Sequence, residues 1–110
     1  RTYQLYPDTL TAEIHYQAAA AQVEESMLHK SLIYNAIAAF ALIDNLEHLR
    51  LIFVDKTYAT DRERLELIVG RELSGLLAEE TWKTVVQEPL ADPGYVQDTL
   101  KKAFTVENGD

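Results

Sequence analysis

The hydrophobic positions change their period near the middle of the chain. Between residues 28 and 43, apolar residues recur every three or four positions, and from Ala36 onward almost no polar side chain interrupts them. Between residues 48 and 54, apolar and polar residues alternate, which is typical of a strand. The pattern predicts a long buried helix that ends at Asp44-Asn45 and is followed at once by a strand in the centre of a sheet.

The N-terminal part has the pattern of a β-hairpin. Residues 6–9, Tyr-Pro-Asp-Thr, have the composition of a tight turn between two short strands. In the second strand one face is apolar and the other is polar, so we expect one covered face and one wet face. The apolar positions are Leu10, Ala12, Ile14 and Tyr16, and the polar positions are Thr11, Glu13, His15 and Gln17.

The C-terminal half has weaker helical patterns. Thr60 followed by Glu63 resembles a capping box, and it predicts a helix over residues 61–69 that Gly70 ends. Two further helices are predicted over residues 79–86 and 95–104, and residues 106–110 are predicted to be a frayed tail.

These elements predict a single α+β domain over residues 1–110. We expect two layers, with a small sheet of about three strands packed on the long central helix. The predicted order is β-β-α-β-α-α-α.

Composition excludes several classes of function. Eighteen acidic and ten basic residues give a net charge of −8, and the basic residues are scattered, so we expect no nucleic-acid partner. The longest apolar run, residues 36–43, is far shorter than the roughly 18 residues of a membrane span, so we expect no direct membrane insertion by this segment. The chain has no cysteine, which excludes disulfides and thiol chemistry.

No group of residues has the spacing of a known catalytic or metal site. The histidines, His15, His29 and His48, do not fall at the His-x-x-x-His interval. No serine lies in a Gly-x-Ser-x-Gly turn, and the glycines are isolated rather than grouped into a phosphate-binding loop. We therefore predict no catalytic residue, no cofactor and no metal, and a function that is not enzymatic.

Similarity to a known family lies mainly in residues 34–46, which read YNAIAAFALIDNL. Together with the strand that ends at Tyr16 and the segment from Thr60 to Gly70, this run resembles an uncharacterised bacterial domain family. That family shares the core Asn-Ala-x-x-x-Phe-x-Leu-Ile-x-Asn. It occurs in Gram-positive lipoproteins and in the extracytoplasmic tails of membrane metallopeptidases of the penicillin-sensor type. The resemblance covers about residues 3–75.

The resemblance implies a location and a role, but no catalytic residue. It implies a sensing or binding domain of unknown ligand on the outer side of a bacterial membrane, anchored through a segment upstream of Arg1. The alternative is a cytoplasmic protein-interaction or oligomerisation domain. A lipoprotein signal or membrane span upstream of Arg1 would favour the sensing or binding domain on the outer side of the membrane.

The face of the predicted sheet that the helices do not cover is a candidate surface for a protein partner or for self-association. If the helices pack on one face only, apolar side chains are left on the other face among polar ones. The residues of this candidate surface are Thr11, Glu13, His15, Arg50, Ile52 and Val54.

Overall fold

The computed structural model of the protein describes residues 2–108, which form five strands and four α-helices. The strands are β1 (Thr2–Tyr6), β2 (Thr11–His15), β3 (His48–Ile52), β4 (Lys56–Asp61) and β5 (Phe104–Asn108). The helices are α1 (Glu25–Leu42), α2 (Arg62–Val69), α3 (Glu79–Trp82), which continues into a π-helical turn over Lys83–Gln87, and α4 (Pro93–Ala103).

The five strands form one mixed sheet in the spatial order β1-β2-β3-β4-β5. β2 and β3 are parallel, whereas the other neighbouring strands are antiparallel. Parallel neighbours need a long crossover connection, and α1 is that crossover. The mixed α+β class predicted from the pattern is therefore confirmed.

The change of period near the centre of the chain is the junction between α1 and β3. The inner stripe of α1 is fully buried, with Leu32, Ile33 and Phe40 at most 1% exposed. The helix ends at Leu42, before the predicted Asp44-Asn45. A distant residue binds this end of the helix, because the guanidinium of Arg62 donates to the carbonyl oxygens of Phe40 at 2.9 Å and Ile43 at 2.8 Å.

The prediction of about three strands in the order β-β-α-β-α-α-α is wrong in two places. The first is β4, which follows β3 after the three connecting residues 53–55. Thr60 is part of this strand rather than a helix cap, and its hydroxyl donates to the carbonyl of Ala103 at 2.8 Å. The carboxylate of Asp61 caps α2 instead, accepting from the backbone N–H of Arg64 at 2.9 Å.

The second error concerns the C-terminus. Residues 106–108, predicted to be part of a frayed tail, lie in β5, which pairs antiparallel with β4. Residues 109–110 of that predicted tail lie outside the described residues. α4 passes directly into β5 at Phe104, without a glycine or proline to mark the change. The local sequence therefore carries no signal for the change. The extended conformation of these residues is selected by their pairing with β4.

The stop of α2 at Gly70 agrees with the sequence. Gly70 has φ +85°, a conformation that costs glycine little, and its N–H donates to the carbonyl of Glu66 at 2.8 Å.

The helices cover one face of the sheet, with α4 packed against both α1 and α2. The core between the layers includes Leu49 and Leu51 of β3 and Leu65 of α2, none more than 1% exposed. The opposite face of the sheet is not covered by any described element. This arrangement defines two surfaces that bear on function, the open sheet face and the border between the sheet and α1.

Candidate functional site

The structure brings five of the six residues of the predicted partner surface onto the open sheet face. Thr11, Glu13 and His15 of β2 lie directly beside β3, with Glu13 opposite Arg50 and His15 opposite Ile52. Val54 lies just beyond the end of β3, where it is 65% exposed and its N–H donates to the carbonyl of Ala18. Five of the predicted residues therefore share one face of the sheet, and Val54 lies beyond the end of the strand.

The charged groups of this face are paired with one another. The carboxylate of Glu13 accepts a hydrogen bond from the hydroxyl of Tyr6 at 3.1 Å and contacts Nε2 of His15 at 3.0 Å. It also lies 3.6 Å from Nε of Arg50. A terminal nitrogen of the same guanidinium lies 4.0 Å from the carboxylate of Glu107. Loss of solvent and, second, the bond to Glu13 raise the pKa of Tyr6. Binding of a partner to this face stays a prediction.

A different feature lies on the covered side of the sheet, where an apolar groove runs between β1 and α1. The groove has a volume of about 380 Å³, and its lining is apolar except for Tyr3, Glu13 and Asn35. We call this feature the β1–α1 groove. It is lined by Tyr3, Leu5, Ala12, Glu13, Ile14, Asn35, Ala38, Ala39, Leu42, Ile43 and Leu49.

The groove exists because β1 lies beyond the area that the helices cover. Its floor is formed by core residues such as Ile14 and Leu49, which are 6% and 1% exposed. Its rim carries large apolar side chains that remain in solvent, since Tyr3 is 63%, Leu5 59% and Leu42 66% exposed. On α1, the side chains at positions 38 and 39 are alanines, which are too small to fill the space between the helix and β1.

The all-round apolar pattern of α1 did not indicate that one strip of the helix is partly uncovered. A helix that is apolar all round is expected to be buried on more than one side, against a sheet and against later helices. α1 does pack on the sheet and on α4, but the strip formed by Ala38, Ala39 and Leu42 is left partly uncovered. Helical periodicity alone could not show that this strip is uncovered, because it does not indicate which elements pack beside the helix.

The histidines lie apart from one another. Nδ1 of His29 is 3.1 Å from the side-chain amide of Gln97, while His15 and His48 lie on β2 and β3. Within residues 2–108, no three His, Asp or Glu side chains converge in a way that could hold a metal ion. Within the same range, no helix has the length and apolar character needed to cross a membrane.

Comparison with protein families places the chain in a family whose role is unknown. The model of the family described as a domain of unknown function, DUF4825, matches residues 4–64. The match covers more than half of the 110 residues, and the chain therefore belongs to this family. Comparison with curated proteins and with solved structures gave no significant match.

The matched segment coincides with the part of the fold that builds the β1–α1 groove. It runs from Gln4 in β1 to the first turn of α2, and all groove-lining residues except Tyr3 fall inside it. α3, α4 and β5 lie outside it. The groove is thus formed by the segment that the chain shares with its family.

Proposed function

We propose that this domain is a non-enzymatic binding module that takes an apolar group of its ligand in the β1–α1 groove. The observation that carries the proposal is the convergence of three exposed apolar side chains, Tyr3, Leu5 and Leu42, around one cleft. Full burial of an exposed leucine side chain contributes about 1.5–3 kcal/mol, and a ligand that covers these partly exposed side chains gains a part of that free energy.

The size and lining of the groove support a binding role. Its volume of about 380 Å³ lies in the range of pockets that hold small molecules or single side chains of a partner. Besides Tyr3, the polar residues that line it are Glu13 and Asn35, and neither carries a hydroxyl or thiol nucleophile. Glu13 is moreover held by Tyr6, His15 and Arg50 on the opposite face of the sheet.

A titration with the neutral dye Nile red tests this proposal. The dye fluoresces in apolar surroundings, and its lack of charge keeps the acidic surface from affecting the result. We expect saturable binding to the wild type. Ala39→Leu, which fills the groove, and Leu42→Lys, which places a charge at its rim, should each weaken binding about tenfold.

The matched control is Leu67→Lys. Leu67 is also an exposed leucine on a helix, 78% exposed on α2, but it does not line the groove. This variant should bind the dye as the wild type does. Equal loss of binding in Leu42→Lys and Leu67→Lys, or unchanged binding in Ala39→Leu, would contradict the proposal, provided that circular dichroism shows folded variants.

We also propose that the domain acts on the outer side of a bacterial membrane as a sensing or binding domain. The support is the resemblance of residues 34–46 to the core motif of domains found in Gram-positive lipoproteins and in membrane metallopeptidases. A fusion of alkaline phosphatase to the natural full-length gene product tests the location, because the enzyme is active only after export. An inactive but stable fusion would instead support a cytoplasmic interaction domain.

A further inference from the structure

The outer edge of β1 has the features of a strand that pairs with another strand. All five residues of β1, Thr-Tyr-Gln-Leu-Tyr, are exposed, and none of them is charged, proline or glycine. Strands at the edge of a sheet present unpaired backbone N–H and C=O groups, and proteins usually protect them with charges, proline or bulges. β1 carries none of these within its length.

The opposite edge of the same sheet differs in this respect. β5 carries the charged side chain of Glu107, which lies 4.0 Å from Arg50. A second strand approaching β5 would have to accommodate this carboxylate. The two edges therefore differ in their suitability for pairing, and β1 is the better suited.

We propose that β1 pairs antiparallel with β1 of a second copy of this chain, forming a twofold dimer with one continuous sheet. With the twofold axis at Gln4, each residue is opposite the residue at the mirrored position, so that Tyr3 faces Leu5 of the second copy. Both of these side chains point to the side of the sheet that carries the groove, where they are 63% and 59% exposed. An aromatic residue opposite an aliphatic one is a favourable cross-strand pair.

The charge distribution permits this contact despite the net charge of −8. β1 contributes no charge, and the nearest carboxylate on the adjacent strand, Glu13, is engaged by His15 and Arg50. A partner strand with acidic side chains would find no positive charge on β1 to pair with. A second copy of β1 carries no charge and so needs no counter-charge. Because five residues per chain make a small interface, we expect a dimer that forms only at micromolar or higher concentrations.

This inference does not depend on a ligand in the groove, and Gln4 allows it to be tested separately. Gln4 pairs with Glu13 in register, which places it on the open face, and it does not line the groove. Light scattering of the wild type should show a rise from the mass of one chain to that of two as concentration increases. Gln4→Lys sets two ammonium groups opposite each other and should raise the dissociation constant about fivefold.

Mixing charge variants gives the more specific result. Gln4→Glu should also weaken its own dimer, but an equimolar mixture of Gln4→Lys and Gln4→Glu should recover dimer formation, because opposite charges then face each other. Thr105→Lys is the control, since Thr105 occupies the same row of the sheet on the opposite edge. A wild type that stays monomeric at millimolar concentration, or a mixture that recovers nothing, overturns the proposal.

A single-cysteine variant tests the same contact if a charge variant fails to fold. The chain has no cysteine, so Gln4→Cys introduces the sole thiol. Opposed residues in antiparallel strands have Cα atoms about 4.5–5.5 Å apart, within the range of a disulfide. Mild oxidation should link Gln4→Cys into covalent dimers much faster than Thr105→Cys, and equal rates would contradict the dimer.

Discussion

The two flanks of the helical layer contain similar residues but differ in burial. On the flank formed by β4, β5, α2 and α4, the apolar residues at the junction of α4 and β5 are enclosed, with Ala103 0% and Phe104 6% exposed. On the flank formed by β1 and α1, Leu5 and Leu42 are 59% and 66% exposed. The difference arises because α4 reaches the first flank, whereas no described helix covers β1. An apolar residue is therefore part of the core or part of a candidate site according to which element lies next to it.

The largest expected effect concerns Arg62, which joins the start of α2 to the C-terminal end of α1. Its side chain is 9% exposed, and it donates to the carbonyls of Phe40, Ile43 and Leu46 at 2.7–2.9 Å. Arg62→Ala removes the guanidinium from these three carbonyls and from its ion pair with Glu66, whose carboxylate keeps only the backbone N–H of Leu73. We expect a loss of about 3–5 kcal/mol in the free energy of unfolding, measured by urea denaturation.

The control for this prediction is Arg64→Ala on the same helix. Arg64 is one-third exposed and pairs with Asp61 at 2.8 Å near the surface. Its removal should cost roughly 1 kcal/mol or less. A similar loss in both variants would show that Arg62 has no special part in holding the end of α1.

Two leucines provide a direct test of the difference between the flanks. Leu65→Ala removes a side chain that is 0% exposed, and it should cost about 2–5 kcal/mol through lost burial and the remaining cavity. Leu42→Ala, at a position 66% exposed, should change the free energy of unfolding by only about 0.5 kcal/mol. Urea denaturation of both variants at low protein concentration measures this difference. A large loss in Leu42→Ala would mean that the open flank is covered in the isolated chain.

The smallest expected effect is a dependence on pH at the other end of α1. The carboxylate of Asp55 accepts from the backbone N–H of Ala20 at 2.6 Å and from the backbone N–H of Ala21 at 3.2 Å. These bonds hold the pKa of Asp55 below its ordinary value. The folded state thus favours the ionised form. The resulting stabilisation is present above the unfolded pKa of about 3.9, and it is lost as the pH falls through the lower folded value.

Urea denaturation of the wild type and Asp55→Ala between pH 7 and pH 3 measures this contribution. The wild type should be the more stable at pH 7, and the difference should shrink toward pH 3. Asp98→Ala, which removes an exposed carboxylate from α4, is the control for the change in net charge. A difference between wild type and Asp55→Ala that stays constant with pH would contradict the proposed role of the ionised carboxylate.

Much of the fold could be predicted from local pattern. The hairpin, the buried helix and β3 each have strong periodicity, and Gly70 ends α2 as its conformational freedom suggests. β4 and β5 could not be predicted in the same way. Thr60 is compatible with a strand or with a helix cap, and residues 104–108 follow α4 without a break. Their conformation depends on pairing with strands distant in the sequence.

The residues of the open sheet face were also predictable, because alternation in β2 and β3 defines which side chains share a face. The β1–α1 groove was not predictable from those patterns. Tyr3 and Leu5 alternate as any half-buried strand would, and Leu42 belongs to a helix that is apolar all round. Nothing in either pattern distinguishes a covered apolar side chain from an uncovered one.

By itself the sequence determined the α+β class, the central helix and strand, and the polar character of the open face. These properties depend on period and on residue type, which act over a few neighbouring positions. Only the tertiary structure decided that the sheet has five strands and that α1 leaves a groove beside β1. The physical reason is that strand pairing and burial depend on contacts between distant segments, such as Thr60 with Ala103, which no local pattern contains.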